Sequence, residues 1–120
     1  MQKYRNRKVV VDGIIFDSKK EARRYTELKL LERAGKIRGL ELQKVFELLP
    51  SQREPDTMGK NGGIHKGKTL ERAVVYKADF AYFDADGNYI VEDTKGFKTP
   101  EYVLKRKLML YLHGIRIKEI

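Results

Sequence analysis

The stretch Val74-Val75-Tyr76-Lys77-Ala78-Asp79-Phe80-Ala81-Tyr82-Phe83-Asp84-Ala85-Asp86-Gly87-Asn88-Tyr89-Ile90-Val91-Glu92-Asp93-Thr94-Lys95 decides the fold. Its two halves, 73–83 and 88–95, are rich in β-branched and aromatic residues and read as strands. Asp84-Ala85-Asp86-Gly87 has Asp at the first turn position and Gly at the fourth, the preference of a type I turn. Closed by a left-handed glycine, it makes a three-residue hairpin loop. That register sets Asp79 directly opposite Asp93, with Lys95 two residues along on the same face. A two-residue Asp86-Gly87 turn would instead set Asp79 opposite Thr94 and point Asp93 away.

Working outward, Ser18-Lys19-Lys20-Glu21 has capping-box spacing and opens a helix. Its apolar positions continue through Tyr25, Leu28 and Leu31, and Gly35 closes it. Before it, Val9 to Phe16 reads as a β-hairpin around Asp12-Gly13. Leu40 to Leu49 reads as a strand ending at Pro50. Residues 51–72 read as a long basic, Gly-rich loop, which in so small a chain is functional or disordered. Thr99-Pro100 starts a second helix with an N-cap and a proline at its first position. That helix carries Leu104, Leu108, Tyr111 and Leu112 on one side and stops at Gly114. Ile115 to Ile120 alternates as a last strand, joined through a crossover. Runs 73–83 and 89–91 are apolar on both alternations, which predicts a sheet covered on both faces. The expected class is α/β, an αβββαβ core with a mixed central sheet flanked by helices and an N-terminal β-hairpin.

With 120 residues and 41% apolar content, the chain fits a single domain over residues 1–120. It has no cysteine, which excludes a disulfide scaffold and thiolate zinc. No apolar run approaches the ~20 residues of a membrane span, and no apolar segment follows the basic N-terminus as in a signal peptide. The expectation is a soluble, cytoplasmic protein. Lys plus Arg number 26 against 17 Asp plus Glu, a net charge of +9, which favours a polyanionic partner, most often nucleic acid. The cations fall in three groups: Lys3, Arg5, Arg7 and Lys8 in a basic arm over residues 1–8; Lys60, Lys66 and Lys68 in the loop; and Lys98 with Lys105-Arg106-Lys107.

Glu21, Asp79, Asp93 and Lys95 are the polar residues that a core would not choose. Glu21 is spaced onto the apolar stripe of the first helix. Two carboxylates directly opposite have Cβ atoms only ~5 Å apart, and such a pair is destabilising unless a proton or cation sits between them. All-oxygen ligands select a hard cation, Mg²⁺ or Mn²⁺. Lys95 beside them could orient a water and neutralise charge on a phosphorane-like transition state. Glu21 reaches the same cluster if its helix starts at that end of the sheet. The set suits phosphodiester hydrolysis. Other motifs fail: Tyr89 and Lys95 stand where a calcium loop needs glycine and an acid, His65 and His113 lack a second histidine at ligand spacing, and no phosphate-binding glycine loop has the required spacing.

The ordered set Glu21, Asp79, Asp93-Thr94-Lys95 on this element order resembles the PD-(D/E)XK nuclease superfamily, over roughly residues 16–120. It is similar to small phage-borne members, Holliday-junction resolvase-like enzymes and transposon-end endonucleases. The resemblance implies that Asp79, Asp93, the Thr94 carbonyl and Glu21 hold the metal and that Lys95 serves the attacking water. Ala78 stands where the family pattern has proline. What it implies for function is a Mg²⁺-dependent DNA endonuclease, selective for junctions or branches, in phage recombination or replication. A resolvase cuts symmetrically and would act as a homodimer. A nicking or restriction-type subunit working with phage or transposition partner proteins, or a silent DNA-binding module, would share the fold.

Overall fold

The turn at Asp84 closes as its composition demands. Gly87 adopts φ +83° and its N–H donates to Asp84 O at 3.0 Å, while Asp84 N–H donates to Asn88 O at 2.9 Å. The Asp84 side chain holds the loop from inside, accepting from the N–H of Asp86 and of Asn88. Ladder pairs Phe80–Glu92, Ala81–Val91, Tyr82–Ile90 and Phe83–Tyr89 follow. This is the register that sets Asp79 across from Asp93.

The computed structural model describes residues 7–120. Its elements are β1 (Val9–Val11), β2 (Ile14–Phe16), α1 (Lys19–Arg33), β3 (Arg38–Leu49), β4 (Gln52–Arg53), β5 (Thr57–Met58), β6 (Ile64–His65), β7 (Thr69–Glu71), β8 (Val74–Phe83), β9 (Tyr89–Asp93), α2 (Pro100–His113) and β10 (Lys118–Glu119). The central sheet has the order β10-β9-β8-β3. β3, β8 and β9 are antiparallel neighbours, and β10 returns parallel to β9 after α2. The sheet is therefore mixed, as the sequence predicts. No helix among the described residues is long and apolar enough to cross a membrane.

Two cores form, one on each side. Phe16, Ala22, Tyr25 and Leu28 pack with Phe80 and Tyr82. Tyr102, Met109 and Ile117 pack with Tyr76, Ala78, Ala81 and Val91. Asp12 and Gly13 make the tight β1–β2 turn with φ +53° and +76°, matching the left-handed pair that a two-residue hairpin needs. Tyr25 donates from its hydroxyl to Asp12 at 3.0 Å, which pins this hairpin to α1.

Several expectations need correcting. Residues 51–72 are no featureless loop: β4 pairs with β7 and β5 with β6, so the segment is a two-stranded ribbon. Its strands are too short and too polar to show periodicity. The last strand covers only Lys118–Glu119, and β9 ends at Asp93, before Thr94 and Lys95. The sheet is not covered throughout, since Val74, Val75 and Lys77 are exposed. The apolar side of α2 is also misassigned. Leu104 and Tyr111 are 58% and 84% exposed, while Tyr102 and Met109 are buried. Lys105 and Arg106 lie half-buried on this inner side, the guanidinium 6.0 Å from the Tyr102 ring. Long cationic stems can cover apolar surface with the charge left in water, so the polarity of these residues hides the buried side from a periodicity count.

Candidate functional site

Each acid reaches the site through a local structural reason. Ser18 caps α1, its Oγ accepting from Glu21 N–H at 3.1 Å, which fixes Glu21 in the first turn. The carboxylate of Glu21 is turned inward and accepts from Gln43 Nε2 at 3.0 Å. Asp79 and Asp93 come together through the hairpin register. Asp79 Oδ2 accepts from Thr94 N–H at 2.8 Å and Thr94 Oγ1 at 2.7 Å. Asp93 Oδ2 accepts from the Tyr76 hydroxyl at 2.5 Å. Its other oxygen, Oδ1, is buried and has no hydrogen-bond partner. The nearest cation is Lys95, whose Nζ is 3.9 Å away and 5.5 Å from the Tyr102 ring.

Glu21, Asp79, Asp93, Thr94 and Lys95 line one open cavity of about 240 Å³, together with Asp17, Ser18, Gly96 and Phe97. All five residues singled out from the sequence as the chemical site are therefore brought together. A second cavity of about 290 Å³, lined by Tyr76, Lys77, Lys95, Thr99, Tyr102 and Lys105 among others, shares Lys95 with it.

The electrostatics are those of crowded acids. Glu21 is pushed up to about 7, first by burial and then by Asp79, Asp17 and Asp93, against a lowering backbone hydrogen bond at Asp17. Asp93 is pushed up to about 6 by burial and by Asp79, with the Tyr76 hydrogen bond and Lys95 opposing. Glu92, next to Asp93 in sequence, points to the opposite face as strand alternation requires. There it is fully buried and gripped by Arg24 Nε and Nη2, both at 2.7 Å, and by the Tyr82 hydroxyl. Glu92 belongs to the core and Asp93 to the cavity.

Do these residues suit a cation? Among the described residues no three His, Asp or Glu side chains stand close enough, as placed, to ring an ion. The donor chemistry fits nonetheless. A buried carboxylate oxygen without a partner carries a full desolvation cost, and the one on Asp93 sits beside a second carboxylate in an open cavity. Oxygen donors alone fit a hard divalent ion.

Three residues of this site escape sequence reasoning. Tyr76 reads as core, Asp17 as the residue before a cap, and Gln43 as one polar position in an alternating strand. Gln43 falls between the pairs Leu42–Phe80 and Lys44–Ala78, hence opposite Asp79, with φ +53°. A left-handed backbone on a residue with a Cβ is strained, and such strain clusters at functional positions. Gln43→Gly should therefore stabilise the protein by about 0.5–1 kcal/mol in urea denaturation. A net loss would mean that the hydrogen bond to Glu21 outweighs the strain.

The basic residues fare unevenly. Lys3 and Arg5 lie outside the described residues. Arg7 and Lys8 are exposed just before β1, and Lys60, Lys66 and Lys68 are exposed on the ribbon. Lys98 and Lys105 are engaged within the chain, pairing with Glu119 at 3.2 Å and Glu101 at 3.0 Å.

Fold and cavity together define a small mixed α/β protein with two facing carboxylates and a lysine at one end of its sheet. Residues 1–118 match the family described as "Protein of unknown function (DUF1064)", and the chain belongs to that family. No curated protein and no solved structure matches the chain.

Proposed function

We propose that this protein is a divalent-metal-dependent DNA endonuclease that acts on junctions or other branched DNA. The observation that carries the reading is the unpartnered, buried Oδ1 of Asp93, set across from Asp79 in a cavity that also holds Glu21 and Lys95. Asp79, Asp93 and the Thr94 carbonyl, completed by Glu21, would hold Mg²⁺ or Mn²⁺. When bound, such a cation supplies positive charge at the scissile phosphate and acidifies water.

The protein's own groups do the rest. Tyr76 fixes the Asp93 carboxylate by donating to Oδ2, which leaves the buried Oδ1 without a partner. Thr94 orients Asp79 in the same way. Lys95 is exposed enough to move, and its ammonium holds the attacking water and offsets charge growing on the phosphoryl oxygens. A water oxygen bonds to phosphorus and its proton passes to solvent, one P–O ester bond breaks, and the departing alkoxide takes up a proton from solvent. Lys77 in the adjoining cavity can seat a neighbouring phosphate, which positions the strand without reading its sequence. Cutting two strands of a junction symmetrically calls for a two-fold dimer.

The test incubates the protein with labelled four-way junction and matched linear duplex, in Mg²⁺ or EDTA, beside Lys95→Ala. The expected result is Mg²⁺-dependent cutting with the junction preferred, lowered about 100-fold in Lys95→Ala while DNA binding persists. Tight binding without cutting in either Mg²⁺ or Mn²⁺ would favour a silent binding module. Equal cutting of duplex and junction would keep the nuclease and remove its selectivity.

A further inference from the structure

The ribbon of β4 to β7 is exposed along all four of its strands. An isolated two-stranded ribbon is marginal in water, yet this one is specifically built. Arg53 Nε and Nη2 donate to Gly67 O at 3.1 and 2.9 Å, and Gly67 N–H donates to Asp56 Oδ1 at 2.8 Å. A Cβ on Gly67 would lie 1.8 Å from Glu54 O, so the crossing admits only glycine. At the tip, Gly59 N–H donates to Gly63 O at 2.7 Å, and Gly62 turns the chain at φ +81°.

Its acids are Glu54, Asp56 and Glu71, with Glu54 and Asp56 level with Lys68 and Gly67 across the ribbon; beyond Asp56, residues 57–68 contain Lys60, Lys66 and Lys68 and no acid. Among the described residues none of these three lysines pairs with a carboxylate. The molecule as a whole is extended, with a radius of gyration of 19.0 Å, against about 14 Å for a compact chain of this length.

We infer that this ribbon is a preformed arm that lies in the major groove of duplex DNA flanking the cavity. The choice of DNA rests on the endonuclease reading, together with the acid-free tip. The major groove is about 12 Å wide and admits a two-stranded ribbon. At about 3.3 Å per residue, the eight residues beyond Pro50 carry the tip about 25 Å from the sheet. That is roughly seven base pairs along a duplex. The arm therefore engages DNA remote from the scissile phosphate and sets how much duplex each arm of a substrate must have.

The experiment compares wild type with Lys60→Ala/Lys66→Ala/Lys68→Ala by fluorescence anisotropy over a salt series. It uses a 30-base-pair duplex and a hairpin-closed duplex of about 4 base pairs, about 14 Å long and so too short to reach the tip from the cavity, and both proteins are also assayed for cutting. The expected result is about 10- to 100-fold weaker binding to the long duplex, with the slope of log K against log salt shallower by about 2–3, and little change on the short one. Unchanged binding and slope on the long duplex, or equal loss on both, would overturn the arm. So would a monomer–dimer equilibrium shifted by the variant in sedimentation, which would make the ribbon a contact to a second copy. If wild type cuts no DNA but the length-dependent loss holds, the arm stands and the nuclease reading falls. If wild type cuts and the variant binds unchanged, the arm alone falls.

Discussion

Asp93→Asn is expected to lower metal-dependent cleavage by roughly three orders of magnitude while leaving the cation-free protein at least as stable as before. The two effects share one cause. Asp93 is 1% exposed, one of its oxygens has no partner, and Asp79 stands opposite. Asparagine keeps an acceptor for the Tyr76 hydroxyl and removes the charge. The pH dependence follows from the raised acidities. Glu21 near 7 and Asp93 near 6 in the folded protein exceed their ordinary values of 4.5 and 3.8. Between those limits the folded state binds more protons than the unfolded state, so stability falls as pH rises through roughly pH 4 to 7. At about 1.4 kcal/mol for each tenfold change in acidity, the two groups together cost several kcal/mol by pH 8. The stability difference between Asp93→Asn and wild type should therefore widen from pH 4 to pH 8 in EDTA. Mg²⁺ should raise the melting temperature of wild type and not of the variant. Urea denaturation and thermal melts check both, and a wild type less sensitive to rising pH than the variant would sink the account.

The largest loss of stability should come from the other side of the same strand. Arg24→Ala is expected to cost about 3–5 kcal/mol, because it leaves the fully buried Glu92 carboxylate without its cation. Set against a typical total of about 5–15 kcal/mol, that would bring the fold close to its limit. Arg24→Lys should recover only part of it, since an ammonium cannot reproduce the fork that spans both Glu92 oxygens. Arg24→Met with Glu92→Gln should be far milder than Arg24→Ala alone, as replacing a whole buried pair often is. If Arg24→Ala melted within a degree or two of wild type, water would have to reach Glu92. On the proposed function, Glu92 and Asp93 should therefore answer to different assays: Arg24→Ala, which strips Glu92 of its cation, should change stability, and Asp93→Asn should change cleavage with little loss of stability.

Why one neighbour serves the core and the other the cavity was legible before any coordinates. Strand alternation puts Glu92 and Asp93 on opposite faces in any register, and the Asp84–Gly87 composition favours the three-residue loop that pairs Asp79 with Asp93. Ser18 and Thr99 likewise mark their helix starts, because caps act within a few residues. What escaped was set by contacts distant in sequence. Gln43 meets Glu21 across 22 positions, and Tyr76 reaches Asp93 across 17. Neither approach leaves a trace in periodicity.

The sequence by itself determined the helix starts, the two tight turns and the net positive charge, and it narrowed the β8–β9 register to two, of which the structure has the one that faces Asp79 with Asp93. Each is fixed by backbone preference or simple counting over a short span. Only the tertiary structure decided that Glu21 joins the two aspartates, that Asp93 Oδ1 is left unpartnered, and that Lys98 and Lys105 pair with carboxylates of the same chain. It also decided which side of α2 is buried, and that residues 51–72 form a ribbon. Burial and long-range pairing depend on what the rest of the chain brings to a position. The acidities of Glu21 and Asp93, which follow from that burial, exist only once the chain has folded.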